Sequence, residues 1–181
     1  MKQSLLKKLL ITILLILLGT LIIGQIAGFF IIRNWFINEI TEYFEIFSED
    51  LNIKFIVTEN VLNIPDFFSN ENRISQVLFI LLDNAFKFTL EDGHVKLDAF
   101  WDEEIIRISV ENTGEGISNE DIQFVFERFY KSDKSHNGNG SGLGLSIAKE
   151  IIRNLGEEIY VSSEPRKKTK FEFTIHRNIN N

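Results

Sequence analysis

The sequence predicts an α+β domain, a mixed and mostly antiparallel sheet with helices on one face, set behind a single apolar helix. Three observations carry this. "SNENRISQVLFILLDNAFKFT" repeats apolar residues at helical spacing, four later segments alternate with period two and close as two hairpins, and Leu9 to Ile32 is almost wholly apolar.

The elements follow in order along the chain. After a basic tail, residues 1–8, the run 9–32 interrupts its apolar and small residues only with Thr12, Thr20 and Gln25. As a helix it reaches about 36 Å, enough to cross a bilayer, and it exceeds the apolar core of a signal peptide. Residues 33–50 place Phe36, Ile40, Phe44 and Phe47 on one stripe of a juxtamembrane amphipathic helix. That stripe needs a partner: a second copy of the chain, the following domain, or a further helix. The body spans residues 51–178. "IKFIV" is a strand, and Asn70 caps the long helix, whose buried face is Ile74, Val77, Leu78, Leu81, Leu82 and Ala85. "HVKLDAFW" and "IIRISVEN" pair about "DEE". Ser118 opens a capping box with Asp121, so that "DIQFVFERF" forms a short helix. A glycine-rich stretch feeds a last helix that Gly156 closes, and "EIYVSS" and "KFEFTI" turn about Pro165.

Composition excludes several functions. Among 181 residues there is no cysteine, so neither disulfides nor thiolate metal sites can form. His94, His136 and His176 lack the paired spacing of a zinc site. Lys2, Lys7, Lys8 and Arg33 are the only charges before Glu39, which leaves an acidic body unsuited to nucleic acid. The same lysines would by the positive-inside rule hold the N-terminus in the cytoplasm and send the body outside.

Chemistry is suggested at three places. In "LLDNAFKF", Asn84 and Lys87 stand three apart on one helical face while Asp83 points elsewhere; an amide oxygen can join the shell of a phosphate-bound Mg²⁺, and a lysine can neutralise phosphate. In "VENTGEGI", Asn112 shares the inward side of its strand with Val110, and its carbonyl could accept from an amino group. "NGNGSGLGLSIAKEII" sets glycines against a helix start, the arrangement of a phosphate cradle. It lacks the lysine of a Walker loop, and protein-kinase signatures are absent.

Taken together, "QVLFILLDNAFKFT", "VENTGEGI", "FERFYK" and "GSGLGLSIAKEI" resemble the N box, first glycine box, F box and second glycine box of the catalytic ATP-binding domain of sensor histidine kinases, in the same order and spacing. The resemblance covers about residues 50–176. It implies a Bergerat-type two-layer α/β sandwich that binds ATP with Mg²⁺ under a lid at about residues 131–141. Asn84 would be the Mg²⁺ ligand, Lys87 a phosphate contact and Asn112 the holder of the adenine amino group. Gly114 and Gly116 would shape the adenine pocket, Arg128 and Lys131 would flank the phosphates, and Gly140, Gly142 and Gly144 would line the lid and helix start. Ile117, Phe129, Tyr130, Ser141, Leu143 and Leu145 complete the implied nucleotide-binding set.

Departures from the family pattern shape the expected function. Ile80 stands where a polar residue, often asparagine, precedes the Mg²⁺ ligand by four; Asn112 replaces aspartate; Lys168 replaces a glycine. No histidine occurs before His94, so the dimerisation helix and its phosphoacceptor are expected to be missing. The resulting expectation is a single-pass cell-membrane protein whose ATP-binding domain lies in the cytoplasm, where ATP is, against the lysine bias. It would transfer phosphoryl groups to a histidine supplied in trans by a dimerisation domain, act with a response regulator, and could dimerise through residues 33–50. The rivals are a non-catalytic nucleotide-sensing module acting on a partner kinase and an anti-sigma-type serine kinase.

Overall fold

The computed structural model describes residues 40–65, 67, 69–131 and 141–177. The expected membrane helix at 9–32 lies outside them, and among the described residues no helix is long and apolar enough to cross a membrane.

Helix α1 covers residues 40–51 and leads into β1, Lys54–Val57. Then come the short α2, Glu59–Leu62, the long α3, Glu71–Phe88, and the hairpin β2, His94–Trp101, with β3, Ile105–Thr113. Helix α4, Gly144–Asn154, precedes the second hairpin, β4, Ile159–Glu164, and β5, Lys168–His176. The sheet order is β1-β2-β3-β5-β4; β1 runs parallel to β2 and the other pairs are antiparallel. This is the mixed, mostly antiparallel sheet that the alternating segments predict.

Period-two alternation sends Val95, Leu97 and Ala99, Ile106, Ile108 and Val110, and Phe171, Phe173 and Ile175 to one face, where all are buried. Against that face lie α3, with all six expected apolar residues and Phe86 buried, and α4, through Ala148, Ile151 and Ile152. The Asn70 side chain accepts from Arg73 N at 3.2 Å, as its N-cap position predicts. Gly156, at φ 77°, closes α4 by donating to Arg153 O while Glu157 N reaches Ile152 O. The opposite sheet face is polar and ion-paired, with Lys170 to Glu172 at 2.6 Å and Lys96 to Asp98 at 2.7 Å. Asp98 is buried there, and burial alone would raise its pKa. Hydrogen bonds from Lys96, Thr58 and Ala99 N outweigh that and hold it below the usual carboxylate value.

One expectation is corrected, and one open alternative is decided. Residues 119–126 form successive turns rather than a helix: Ile122 N reaches Ser118 O, but Phe124 N and Glu127 N close three-residue steps onto Asp121 O and Phe124 O. The Ser118 cap itself is present, with Asp121 N at 3.1 Å from its Oγ. Only Val125 of the segment is buried, so too little packing supports a helical nucleus. The stripe of α1 finds its partner in the following domain, since Phe44 packs on Phe86, Phe79 and Phe55, and Phe47 on Phe86.

The β4–β5 turn carries a strained residue. Lys167 N donates to Glu164 O at 3.0 Å across Pro165 and Arg166, and Arg166 sits at φ 62°, in the left-handed region. Pro at the second position with positive φ at the third is the type II pattern, which favours glycine. Arg166→Gly is therefore expected to stabilise the domain by about 0.5–1 kcal/mol, offset in part by a freer unfolded chain. Thermal melting should rise by about 2–4 °C; an unchanged or lower Tm would show that the turn relaxes without cost.

Candidate nucleotide-binding site

Four pieces of backbone converge at one end of the sheet. The first is the C-terminal half of α3. Asn84 is half-buried, and among the described residues no partner takes its amide. Lys87 is exposed and its Nζ lies 2.6 Å from Asp83 Oδ2, one turn back. This corrects the expectation that Asp83 points elsewhere, because residues four apart share a face. Such exposed pairs contribute only about 0.3–0.5 kcal/mol, so the ammonium is easily given up to a stronger anion.

The second piece is the end of β3. Asn112 is 4% exposed, and its Nδ2 donates to Thr113 O at 3.2 Å, which leaves Oδ1 as an acceptor. Next comes the turn Gly114–Ile117, pressed between two neighbours. A Cβ on Gly114 would lie 2.3 Å from Phe88 O, and one on Gly116, at φ 67°, would lie 2.5 Å from Glu164 O. The glycines are thus required by close approach to α3 on one side and to the β4–β5 turn on the other.

The third piece is the strap 118–131. Tyr130 Oη lies 2.5 Å from Asp121 Oδ1. Phe129 sits at φ 65° and is 71% exposed, and its N donates to Gly142 O at 2.9 Å. A bulky residue in the left-handed region is strained, and that strain is held by the contact with Gly142. Arg128 and Lys131, on the same strap, are exposed.

The fourth piece is the start of α4. Its N-cap, Leu143, has no side-chain cap and the first turn no acid, so the opening N–H groups keep their capacity for an anion. Ser141 Oγ approaches Leu143 N at 3.4 Å, and Leu143, Gly144 and Leu145 are half-buried. A Cβ on Gly144 would meet Ile80 Cγ2 at 3.3 Å. Helix α4 therefore begins against α3 one turn before Asn84. Gly140 and residues 132–140 of the expected lid lie outside the described residues.

Through these contacts the glycine turn after Asn112 abuts α3 at Phe88 and the start of α4 abuts it at Ile80, on either side of Asn84 in the helix, while the strap is tied to Gly142. The structure places Lys168 apart: its Nζ lies 3.1 Å from Glu111 Oε2 on the polar sheet face. That hydrogen bond, with the attraction of the same carboxylate, raises the Lys168 pKa. Two residues near Asn112 escaped the sequence reading. Thr169 pairs with Asn112 across β3 and β5, and Ser163 Oγ touches both Ile117 N and Thr169 Oγ1. The available signal was phase, since each is a hydroxyl at an inward position of its strand, in step with Val161 and with Phe171.

Comparison with known proteins places this arrangement. A family model described as histidine kinase-, DNA gyrase B- and HSP90-like ATPase matches residues 69–179. The chain is 36% identical over 156 residues to the sensor histidine kinase WalK of Bacillus subtilis (strain 168), covering 79% of this chain and 24% of that protein. It is 39% identical over 108 residues to the histidine-protein kinase ArlS of Staphylococcus epidermidis (strain ATCC 12228 / FDA PCI 1200), covering 59% and 24%. The chain thus spans about a quarter of the length of these curated relatives. A nucleotide-free catalytic domain of histidine kinase ThkA superposes with a TM-score of 0.67 at 31% identity, over 80% of this chain and 93% of that one. Full-length ShkA in complex with AMPPNP superposes with a TM-score of 0.69 at 26% identity, over 80% and 30%. Matched over more than half its length by the family model and sharing its fold with these catalytic domains, the chain belongs to the histidine kinase-, DNA gyrase B- and HSP90-like ATPases, as a domain of the histidine-kinase type.

Proposed function

We propose that this domain binds ATP with Mg²⁺ and serves phosphoryl transfer to a histidine supplied by another chain. The observation that supports it most is the convergence of a buried amide acceptor, Asn112, with an uncapped helix start that abuts α3 one turn from Asn84. The likeness to ShkA, solved with AMPPNP, and to ThkA, solved with the response regulator TrrA, supports the nucleotide and the partner class.

Each residue then has a physical task. Asn112 Oδ1 accepts from the adenine amino group, while Gly114 and Gly116 let the backbone wall the base. The first N–H groups of α4 donate to phosphate oxygens, and Lys87, Arg128 and Lys131 balance their charge. Among the described residues no group of His, Cys, Asp or Glu could hold a metal ion alone. Asn84 still fits Mg²⁺, which keeps several waters and takes its other ligands from phosphates, so one amide oxygen suffices. When bound, the metal would neutralise phosphate charge. In the transfer, an imidazole nitrogen of the partner bonds to the γ-phosphorus as the bond to the bridging oxygen breaks, leaving ADP. The chain's own share is positioning and charge stabilisation.

Asn84→Ala is expected to weaken ATP binding in magnesium buffer by about tenfold while leaving affinity in EDTA within about twofold, because only a metal-bound amide contributes differentially. Calorimetric titration in both buffers checks this, and equal losses in both would remove the assignment. Incubating the domain with labelled ATP and a histidine-bearing dimerisation domain should yield acid-labile phosphate on the partner and none on this chain.

A second reading, a nucleotide sensor without transfer activity, is favoured by Ile80, whose alkyl group occupies the position one turn before Asn84. Absence of transfer to the partner, with ATP binding intact, would select it. In either reading the apolar run 9–32 would anchor the body at the cytoplasmic side of a membrane, and residues 33–50 could still bring two copies together. Protease shielding on intact cells tests the placement.

A further inference from the structure

The β4–β5 hairpin is joined to the nucleotide turn by more bonds than chain closure needs. Gly114 N donates to Lys167 O at 3.1 Å and Arg166 N donates to Glu115 O at 2.7 Å, two backbone bonds that fasten the turn to the tip of the hairpin. A third bond runs through a side chain. Ser163 Oγ accepts from Ile117 N at 2.8 Å. The same oxygen lies 2.7 Å from Lys168 O and 2.9 Å from Thr169 Oγ1, so its single proton is directed to one of those two.

This oxygen spans two walls of the same pocket. Ile117 ends the turn that begins at Gly114. Thr169, 6% exposed, faces Asn112 in the register of β3 and β5. The side chains of a directly opposed pair lie about 4.5–5.5 Å apart at Cβ, close enough for one to fix the rotamer of the other. A route therefore leads from Ile117 N through Ser163 Oγ to Thr169 Oγ1 and on to the neighbourhood of Asn112. Backbone bonds at the hairpin tip hold the turn's height above the sheet, but they do not reach Thr169. Ser163 Oγ meets both the end of the turn, at Ile117 N, and the strand pair, at Thr169 Oγ1.

We propose that Ser163 is a positioning residue that sets the pocket's preference for a 6-aminopurine, by holding the turn and Thr169 in fixed relation to Asn112. This rests on the adenine reading of Asn112 given above. Without the hydroxyl, Ile117 N loses its acceptor and Thr169 a partner, so the wall and the amide relax independently. The preference for an amino over an oxo group at purine position 6 then falls, because that preference depends on the placement of one acceptor.

The test compares ATP with ITP, which carries oxygen at that position, by titration of the whole chain and of its Ser163→Ala and Ser163→Thr forms, with melting curves for each. The unmodified chain is expected to favour ATP. Ser163→Ala should lose about tenfold in ATP affinity, as for a part-buried N–H left without its acceptor, with little loss for ITP, and Ser163→Thr should restore the ratio. A lower Tm with equal losses for both nucleotides would assign Ser163 a structural role only and overturn the proposal. So would an unchanged ATP to ITP ratio in Ser163→Ala. Should Ser163→Ala fail to fold, Thr169→Val, which cuts the same route on its far side, must lower the ratio or the proposal fails. If the unmodified chain binds neither nucleotide, the adenine reading itself falls, which is a distinct outcome.

Discussion

Gly142→Val should cost about tenfold to a hundredfold in ATP affinity while leaving the sheet and α3 intact. Gly142 sits at φ 72°, where any L side chain is strained and a β-branched one most of all. Space is lacking as well: a Cβ would lie 2.9 Å from Phe129 C and 3.0 Å from Tyr130 O, both backbone atoms that cannot swing aside. The substitution must then either rotate Gly142, breaking the bond from Phe129 N to its carbonyl, or push the strap outward. Both movements act on the start of α4, two residues away, whose free N–H groups need their direction to meet phosphate. Strain of this kind costs about 1–3 kcal/mol, the range that sets the expected loss. Titration of the variant with ATP, beside a far-ultraviolet spectrum, provides the measurement. Full affinity in a well-folded variant would show that strap and helix start do not work together.

The parts legible in the sequence were those where one local rule acts alone. The face of α3 was readable because six apolar residues at helical spacing leave no other way to bury them, and the caps at Asn70 and Gly156 follow from backbone geometry. The inward side of Asn112 came from strand phase alone. What stayed hidden depended on partners distant in the chain. Ser163 and Thr169 look like ordinary hairpin residues, because what sets them apart is the bond from Ile117 N, 46 residues earlier, to Ser163 and the contact of Ser163 with Thr169. The strap resembled a helix because its apolar spacing suits one; which turns form was decided by anchoring at Gly142 and Asp121, which spacing does not report. The pairing of Asp83 with Lys87 is hidden in a reading that turns Asp83 elsewhere, although residues at i and i+4 share a face. The four motifs marked the site because their order and spacing are jointly specific, while the braces that give the site its shape lie between and behind them.

Phe44→Ala is expected to lower the stability of the whole domain by about 3–5 kcal/mol, the largest stability effect of any single change considered. Phe44 belongs to α1, ahead of the residues matched by the family model, yet it is 1% exposed. Its ring stacks on Phe86 with centroids 5.3 Å apart and 13° between planes, and meets Phe79 at 5.6 Å and Phe55 at 6.3 Å. Truncation would open a cavity walled by other rings, on α1, α3 and β1, that cannot all collapse into it. Against a total of about 5–15 kcal/mol for a domain, such a loss should bring Tm down by more than about 10 °C. Tyr43 supplies the control: it neighbours Phe44, Phe47 and Phe79 but is 52% exposed, so Tyr43→Ala should cost under about 1 kcal/mol. Below the melting range the ATP affinity of Phe44→Ala should stay within about twofold of the unmodified chain, since the sheet still supports α3 from its other side. A Tm shift no larger for Phe44→Ala than for Tyr43→Ala would mean that α1 is not part of the folding unit, which would then begin at β1.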